Sequence, residues 1–340
     1  MNVCILFDTT PGPFGGANQF LKTLTKELND RGHIVTSRPT KQTDVVLLNG
    51  FNYGPNKLQK PSKIAQLRHT GNFNVFGGWL SEEYWSKKDR RGPAIVHRLD
   101  GVAELVRGTR GPADDVQPAV NKYADFTIFQ TDYCRISFDD HSSVVPEHFT
   151  VINNAVNGEV FRPVSNETIE STPDTIKFVA VSWSANVRKG FQILSDLSLL
   201  PGVEVAFVGN WAEQIPVNNV QLEGTLDSEN LAVLMQESDA LIHAALNEPC
   251  ANVIVEGMAT VLPVLYRDSG GNRELAGDYG VELTDDLESD LARFRDRFPE
   301  LKQRLLSNRS SFLIPRVVED YISAFERAVE IRNSGSVVVG

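Results

Sequence analysis

Cysteine is scarce in this 340-residue chain: Cys4, Cys134 and Cys250 are odd in number and far apart in sequence. That argues against a disulfide framework and for reduced thiols in a core or a loop. No run approaches the ~18–20 apolar residues that a membrane span needs. No His/Cys cluster has zinc spacing. The acidic pairs Asp114-Asp115 and Asp285-Asp286 are explained by placement at helix N-termini, so no metal is expected. No short-period repeat is present, only two loosely similar halves. Met1–Phe7 enters a strand pattern at once, without a charged start or a small-residue cleavage site. The expected location is therefore the cytoplasm. Basic residues are also scarce, but only in one half. Residues 1–165 hold 19 Lys+Arg against 17 Asp+Glu, and the remainder holds 14 against 27. An acidic second half is a poor binder of nucleic acid. From 166 to 290 the basic residues are Lys177, Arg188, Lys189, Arg267 and Arg273, and four of these five fall in two loops. Solvation would scatter them, whereas a diphosphate would gather them.

What is present is a soluble globular composition, 41% hydrophobic and 23% charged, with length enough for two domains. Short apolar runs alternate with helical patterns from the start. The runs are Val3–Phe7, Ile34–Val35, Val45–Leu48, Ile64–Leu67, Ala94–Val96, Phe126–Phe129 and Phe149–Ile152, with a helical face Phe20, Leu21, Leu24, Leu28 after the first. Such alternation predicts a doubly wound parallel sheet. The polar stretch Val164–Pro173 reads as a linker. A second series follows: Ile176–Val181, a helix after Lys189, Val203–Val208, Val220–Leu222, a helix from Ser228, and Ala240–His243. Two long helical patterns, Leu287–Leu306 and Pro315–Arg332, close the chain, with Pro315 at a first-turn position. The fold class is α/β, two Rossmann-like lobes sharing a crevice at their strand C-termini.

The densest chemistry lies in Leu246–Ala259 and Ser269–Glu274. Asp239–His243 reads as a buried strand, and Asn252 reads as the N-cap of a helix running to about Ala259. Glu248 then lies in the loop at a strand end and Glu256 one turn into the helix. Both carboxylates can face a ligand over that helix N-terminus, where free N–H groups favour an anion. The turn at Gly270-Gly271 can add further backbone N–H groups. Carboxylates for hydroxyls beside amides for phosphates suit a nucleotide-sugar site.

These residues resemble the second lobe of retaining glycosyltransferases of family 4, which have the two-lobed GT-B fold. The resemblance rests on Glu248…Glu256, the strand approach Thr260-Val-Leu-Pro-Val264 and the turn Gly270-Gly-Asn-Arg-Glu274. It covers nearly the whole chain, strongly in 150–280 and weakly in 50–145. It implies a first lobe over 1–163, completed by a helix at about 315–332 that crosses back, and a donor lobe over 174–314. Pro11–Asn18, with Gly15 and Gly16, resembles the family's first-lobe glycine loop facing donor or acceptor, where glycine lets the backbone come close. Lys189 matches the lysine that holds the donor diphosphate. The partner arginine expected five residues earlier is Ser184, and Arg188 is the obvious substitute. Val151–Pro163 matches the passage into the second lobe, with Asn153 or Asn154 at the crevice. His97 or Asp100, at the end of the strand Ala94–Leu99, could stand near the reacting sugar, and Arg98 could meet a phosphate or an acceptor.

The resemblance therefore implies transfer of a sugar from a UDP- or GDP-linked donor to a glycan, lipid or small-molecule acceptor, with retention and without metal or cofactor. Glu248 would hold hydroxyls of the sugar, Glu256 the ribose, and Lys189, Arg188 and the Gly270-Gly271 amides the diphosphate. A nucleotide-sugar epimerase of the same fold and a non-catalytic nucleotide-sugar-binding protein are the alternatives. Phe73–Arg91, with aromatics beside cations, could bind an acceptor or an anionic membrane surface, which leaves peripheral membrane contact open.

Overall fold

The structure, a computed structural model, describes residues 1–9, 16–54, 57–70, 92–164 and 171–334. Twelve strands among them form two six-stranded sheets in which all strand pairs are parallel. The first contains β1 (Asn2–Ile5), β2 (Ile34–Thr36), β3 (Val45–Asn49), β4 (Ala94–Leu99), β5 (Phe126–Phe129) and β6 (Phe149–Val151), in the order β2-β1-β3-β4-β5-β6. The second contains β7 (Ile176–Ser182), β8 (Val203–Gly209), β9 (Val220–Gly224), β10 (Ala240–His243), β11 (Val264–Arg267) and β12 (Gly280–Leu283), in the order β12-β11-β10-β7-β8-β9. β3 and β4 are buried along their whole length, as parallel strands covered on both faces must be.

In the first lobe the helices are α1 (Gly16–Asp30), α2 (Pro61–Thr70), α3 (Ala103–Arg107), α4 (Pro112–Asn121) and α5 (Asp132–His141). Phe20, Leu21, Leu24 and Leu28 of α1 enter the core, as their spacing requires. The run Ile64–Leu67, expected as a strand, lies within α2. A four-residue run with three apolar residues fits either structure, and Pro61 at the helix start favours the helix.

The second lobe carries α6 (Phe191–Leu197), α7 (Ser228–Gln236), α8 (Asn252–Ala259), α9 (Asn272–Ala276) and α10 (Leu287–Asn308). The last helix, α11 (Ile314–Asn333), returns to the first lobe and buries Val317, Val318, Tyr321, Phe325 and Ile331 in its core. Arg332 fastens the end of this helix, donating to the carbonyls of Arg68 and Gly92. Val156 and Phe161 pack in the second lobe's core, although they precede its first strand. The two chain crossings between lobes are strapped together: the Val156 amide donates to Phe312 O at 3.0 Å and the Ile314 amide to Val156 O at 3.1 Å.

Each sheet has one place where successive connections leave in opposite directions, and ligands of open α/β sheets collect there. In the first lobe it lies between β1 and β3. In the second it lies between β7 and β10, whose C-terminal ends lead directly into Ser182–Lys189 and His243–Glu248.

Candidate active site

The two switch points face each other across a crevice of about 490 Å³, a volume suited to a bound small molecule. Lys189, Glu248 and Glu256 line it from the second lobe, and Gly16, Arg98, Asp100 and Arg107 from the first.

Lys189 ends a 3-10 turn, Val187–Lys189, whose start is capped by the Asn186 side chain and whose end is released by Gly190 in the left-handed region. A Cβ at Gly190 would come 2.4 Å from Ala244 O, so glycine lets this turn lie against the end of β10. The Lys189 ammonium then meets the Glu248 carboxylate in an ion pair, with side chains 20% and 15% exposed. The pair is accessible enough to exchange partners when an anion and a polyol enter.

The glycine turn shapes Glu248 in a way different from that expected. Gly270, at φ +69°, lies against the Glu248 backbone, where a Cβ would approach the carbonyl to 2.4 Å. The Gly271 amide donates to Glu248 O at 2.8 Å, so it is spent on the loop rather than offered to the crevice. Neither glycine lines the crevice. Their place is behind Glu248, bracing it.

Glu256 lies on the crevice-facing side of α8 and is half-buried. Desolvation pushes its carboxyl up to about 7, and no hydrogen-bond partner meets it among the described residues. Asn252 does not cap this helix. Ala251 holds the cap position, and Asn252 Oδ1 instead accepts from Asn154 Nδ2 of the first lobe at 2.5 Å. Gly16 touches the same side chain, since a Cβ there would meet Asn252 Nδ2 at 2.1 Å. The absence of a side chain at Gly16 therefore brings α1 onto α8, one lobe onto the other.

His243 is a crevice residue that no motif marks. It ends β10, is buried, and its Nε2 has no hydrogen-bond partner among the described residues. Burial holds its imidazole down to about 4, so it is neutral at pH 7. Trp183 also lines the crevice without sequence signal, and of the two asparagines expected there Asn154 is the one that does.

On the first lobe, β4 separates its two polar residues. His97 is fully buried, with Nε2 2.7 Å from Gly50 O and Nδ1 3.2 Å from Asn121 Nδ2. Burial lowers it to about 4. The structure does not bring it to the crevice, and both ring nitrogens are engaged in the core. Arg98 faces the other way. Its guanidinium donates to Asn49 Oδ1 at 2.5 Å, Asn154 Oδ1 at 2.6 Å and Asp100 Oδ1 at 3.2 Å, and lies over the Phe20 ring at 4.8 Å. Gln130 joins this network through Asp100 at 3.0 Å and Asn154 at 2.9 Å. Asp100 is pushed above the ordinary carboxylate range by burial, against the pull of Arg98 and Gln130. Arg98 thus floors the crevice as a cation whose two terminal nitrogens are engaged, and it orients Asp100 and Asn154.

The clustered cations of the second lobe do not converge. Arg273 pairs with Asp268 and Glu282 at the surface. Arg188 turns to the first lobe, donating to Leu105 O at 2.9 Å. Of the five, Lys189 is the one that lines the crevice. Gly15 and Phe73–Arg91 lie outside the described residues. Among the described residues no three His, Cys, Asp or Glu side chains converge as metal ligands, and no helix is long and apolar enough to cross a membrane.

Two facing parallel-sheet lobes with a last helix returned to the first define the GT-B fold class. Residues 188–286, which carry Lys189, both glutamates and the glycine turn, match the family model described as glycosyl transferases group 1. HepE from Anabaena, solved with UDP and glucose, superposes with a TM-score of 0.63 at 16% identity, covering 95% of this chain and 98% of its own. A glycosyltransferase from Rickettsia africae gives 0.63 at 14% identity, with 96% and 98% covered. Sucrose-phosphate synthase from Thermosynechococcus elongatus gives 0.56 at 15% identity, with 98% and 93% covered. At these identities the likeness is one of fold. No curated protein sequence matches the chain.

Proposed function

We propose that this protein is a glycosyltransferase that moves a sugar from a nucleoside diphosphate to an acceptor hydroxyl with retention of configuration. The observation that carries the reading is the Lys189–Glu248 pair at the switch point, with the Glu256 carboxyl, unpartnered among the described residues, on the same crevice wall. An anion takes Lys189 and frees Glu248 for the hydroxyls of the sugar attached to it. Glu256 is a strong acceptor left without a donor, and a ribose supplies two. In the reaction the sugar–diphosphate C–O bond breaks and the acceptor oxygen bonds the same carbon on the same face. The acceptor's proton leaves with the diphosphate. Lys189 is the group that stabilises the charge growing on the leaving oxygen. His97 takes no part, and Gly270 and Gly271 act by holding Glu248. Arg98 and Asp100 form the acceptor-side wall. The positive charge comes from side chains, so no metal is invoked.

HepE has been solved with UDP-glucose, which makes UDP-glucose the first donor to try. A thermal-shift series with UDP, GDP and other nucleoside diphosphates tests donor binding, since a ligand of the native state raises the melting temperature. Labelled donor is then incubated with and without a panel of acceptors. Transfer with retained anomeric configuration is expected. Conversion of the donor to an epimer without acceptor would replace the reading by epimerisation, and tight binding without turnover would make the protein a binding protein.

A further inference from the structure

Among the described residues three cations line the crevice, and two are occupied: Lys189 by Glu248, and Arg98 by Asn49, Asp100 and Asn154. The third is Arg107, the last residue of α3, exposed on the first lobe and without a side-chain partner among the described residues. We propose that Arg107 is the second positive group on the leaving diphosphate, supplied across the lobe interface. It stands in for the second-lobe arginine whose position is Ser184 here. The inference rests on the glycosyltransferase reading and adds to it a residue and a condition.

Three contacts place the end of α3, which carries Arg107, against the Lys189 and Glu248 loops. Asn186 Nδ2, at the cap of that loop, donates to Arg107 O at 3.1 Å. Arg188 donates to Leu105 O at 2.9 Å, and Asn247 Nδ2, next to Glu248, donates to the same oxygen at 3.2 Å. The last turn of a helix exposes carbonyls that repel an anion. Here three donors from the second lobe cover them, the Arg188 guanidinium among them, and the Arg107 guanidinium is the one that also lines the crevice. Arg188 accordingly acts as a clamp on α3 rather than as a phosphate ligand. Ser184 lines the same crevice and is small enough to leave the space free. Because α3 belongs to one lobe and Lys189 to the other, the diphosphate meets both cations only while the lobes are docked. Donor activation then requires closure, which also shuts out water.

The test compares the wild type with Arg107→Gln, Arg110→Gln and the double variant Arg107→Gln/Ser184→Arg. Arg110 is the control, an exposed neighbour already paired with Asp115 at 2.6 Å. Calorimetry with UDP and GDP, and with UMP and GMP, reads binding, and steady-state transfer reads turnover. For whichever nucleotide the wild type binds, Arg107→Gln is expected to weaken the diphosphate roughly 10- to 100-fold, the scale of a lost charge-assisted hydrogen bond, and the monophosphate far less. Arg110→Gln is expected to match the wild type, and Ser184→Arg to restore most of the diphosphate affinity and kcat. Wild-type affinity in Arg107→Gln would overturn the inference, as would equal loss for mono- and diphosphate or no rescue by Ser184→Arg. Absence of any nucleoside diphosphate binding by the wild type would instead overturn the donor reading on which it rests.

Discussion

Replacing Glu256 by glutamine is expected to stabilise the ligand-free protein, and to do so only toward alkaline pH. Burial raises this carboxyl from 4.5 to about 7 in the folded chain. Below pH 4.5 it is protonated in both folded and unfolded states and contributes nothing. Between 4.5 and 7 the unfolded chain ionises while the folded one does not, so folded stability falls as pH rises, by about 1.4 kcal/mol per unit. Above 7 the accumulated cost levels off at about 3 kcal/mol, an upper bound because the crevice side of the carboxyl keeps water. Glutamine keeps the shape and carries no charge. Urea denaturation should therefore show the variant gaining up to ~3 kcal/mol over the wild type at pH 8 and under ~1 kcal/mol at pH 5. A ribose that donates hydrogen bonds to the ionised form reverses the balance and lowers the pKa. Nucleotide binding near pH 6.5 should then release a proton from the wild type, visible as a buffer-dependent calorimetric enthalpy and missing in Glu256→Gln. Identical pH dependence of stability in the two proteins would refute the reasoning, because the penalty would then belong to some other group.

Lys189→Ala is expected to cut transfer by roughly 100-fold or more, the scale for losing a donor to a developing oxyanion, with circular dichroism unchanged; wild-type turnover would remove Lys189 from the site. Glu248→Gln loses charge-assisted bonds to a sugar whose position relative to the diphosphate changes during reaction. Its kcat should therefore fall more than its KM rises in steady-state kinetics. Transfer should survive EDTA, since lysine and arginine supply the positive charge, and complete loss restored by Mg²⁺ would overturn that account.

The two parallel-sheet lobes and the placement of Lys189, Glu248 and Glu256 on the crevice were legible because strand alternation and motif spacing are local properties. The errors arise where the outcome depends on contacts between distant segments. β4 is buried on both faces, so its sequence carries no alternation to say that Arg98 and not His97 faces the crevice. Arg188 and Lys189 are neighbours on one turn, and only the position of α3 decides that the first is drawn to Leu105. Asn252 has the chemistry of a cap, but Asn154 of the other lobe competes for its carbonyl oxygen and wins. A glycine pair reads equally as two free amides or as a close approach, and the neighbouring Glu248 backbone settles the matter. Arg107 belongs to no motif and becomes a candidate only once the lobes face each other.

The way the lobes meet bears on whether such a site can open. Their apolar cores are separate, and what joins them near the crevice is polar or relies on glycine. Thr131 Oγ1 donates to Pro249 O at 2.6 Å, and the Asp132 amide, in the first turn of α5, donates to the Glu274 carboxylate at 2.8 Å. Gly16 and Gly101 let Asn252 and Pro249 come close. A hydrogen bond exchanged with water changes stability by only about 1 kcal/mol, so these contacts can part without the loss of a buried apolar face. Polar interdomain interfaces are the ones that move. The paired crossings at Val156 and Phe312–Ile314, by contrast, are tied backbone to backbone. Glu274, last residue of the glycine-turn motif, has a physical role in this contact: it accepts from the Asp132 amide at the N-terminus of α5, while the same turn braces Glu248. One short segment thus touches both the first lobe and the Glu248 backbone.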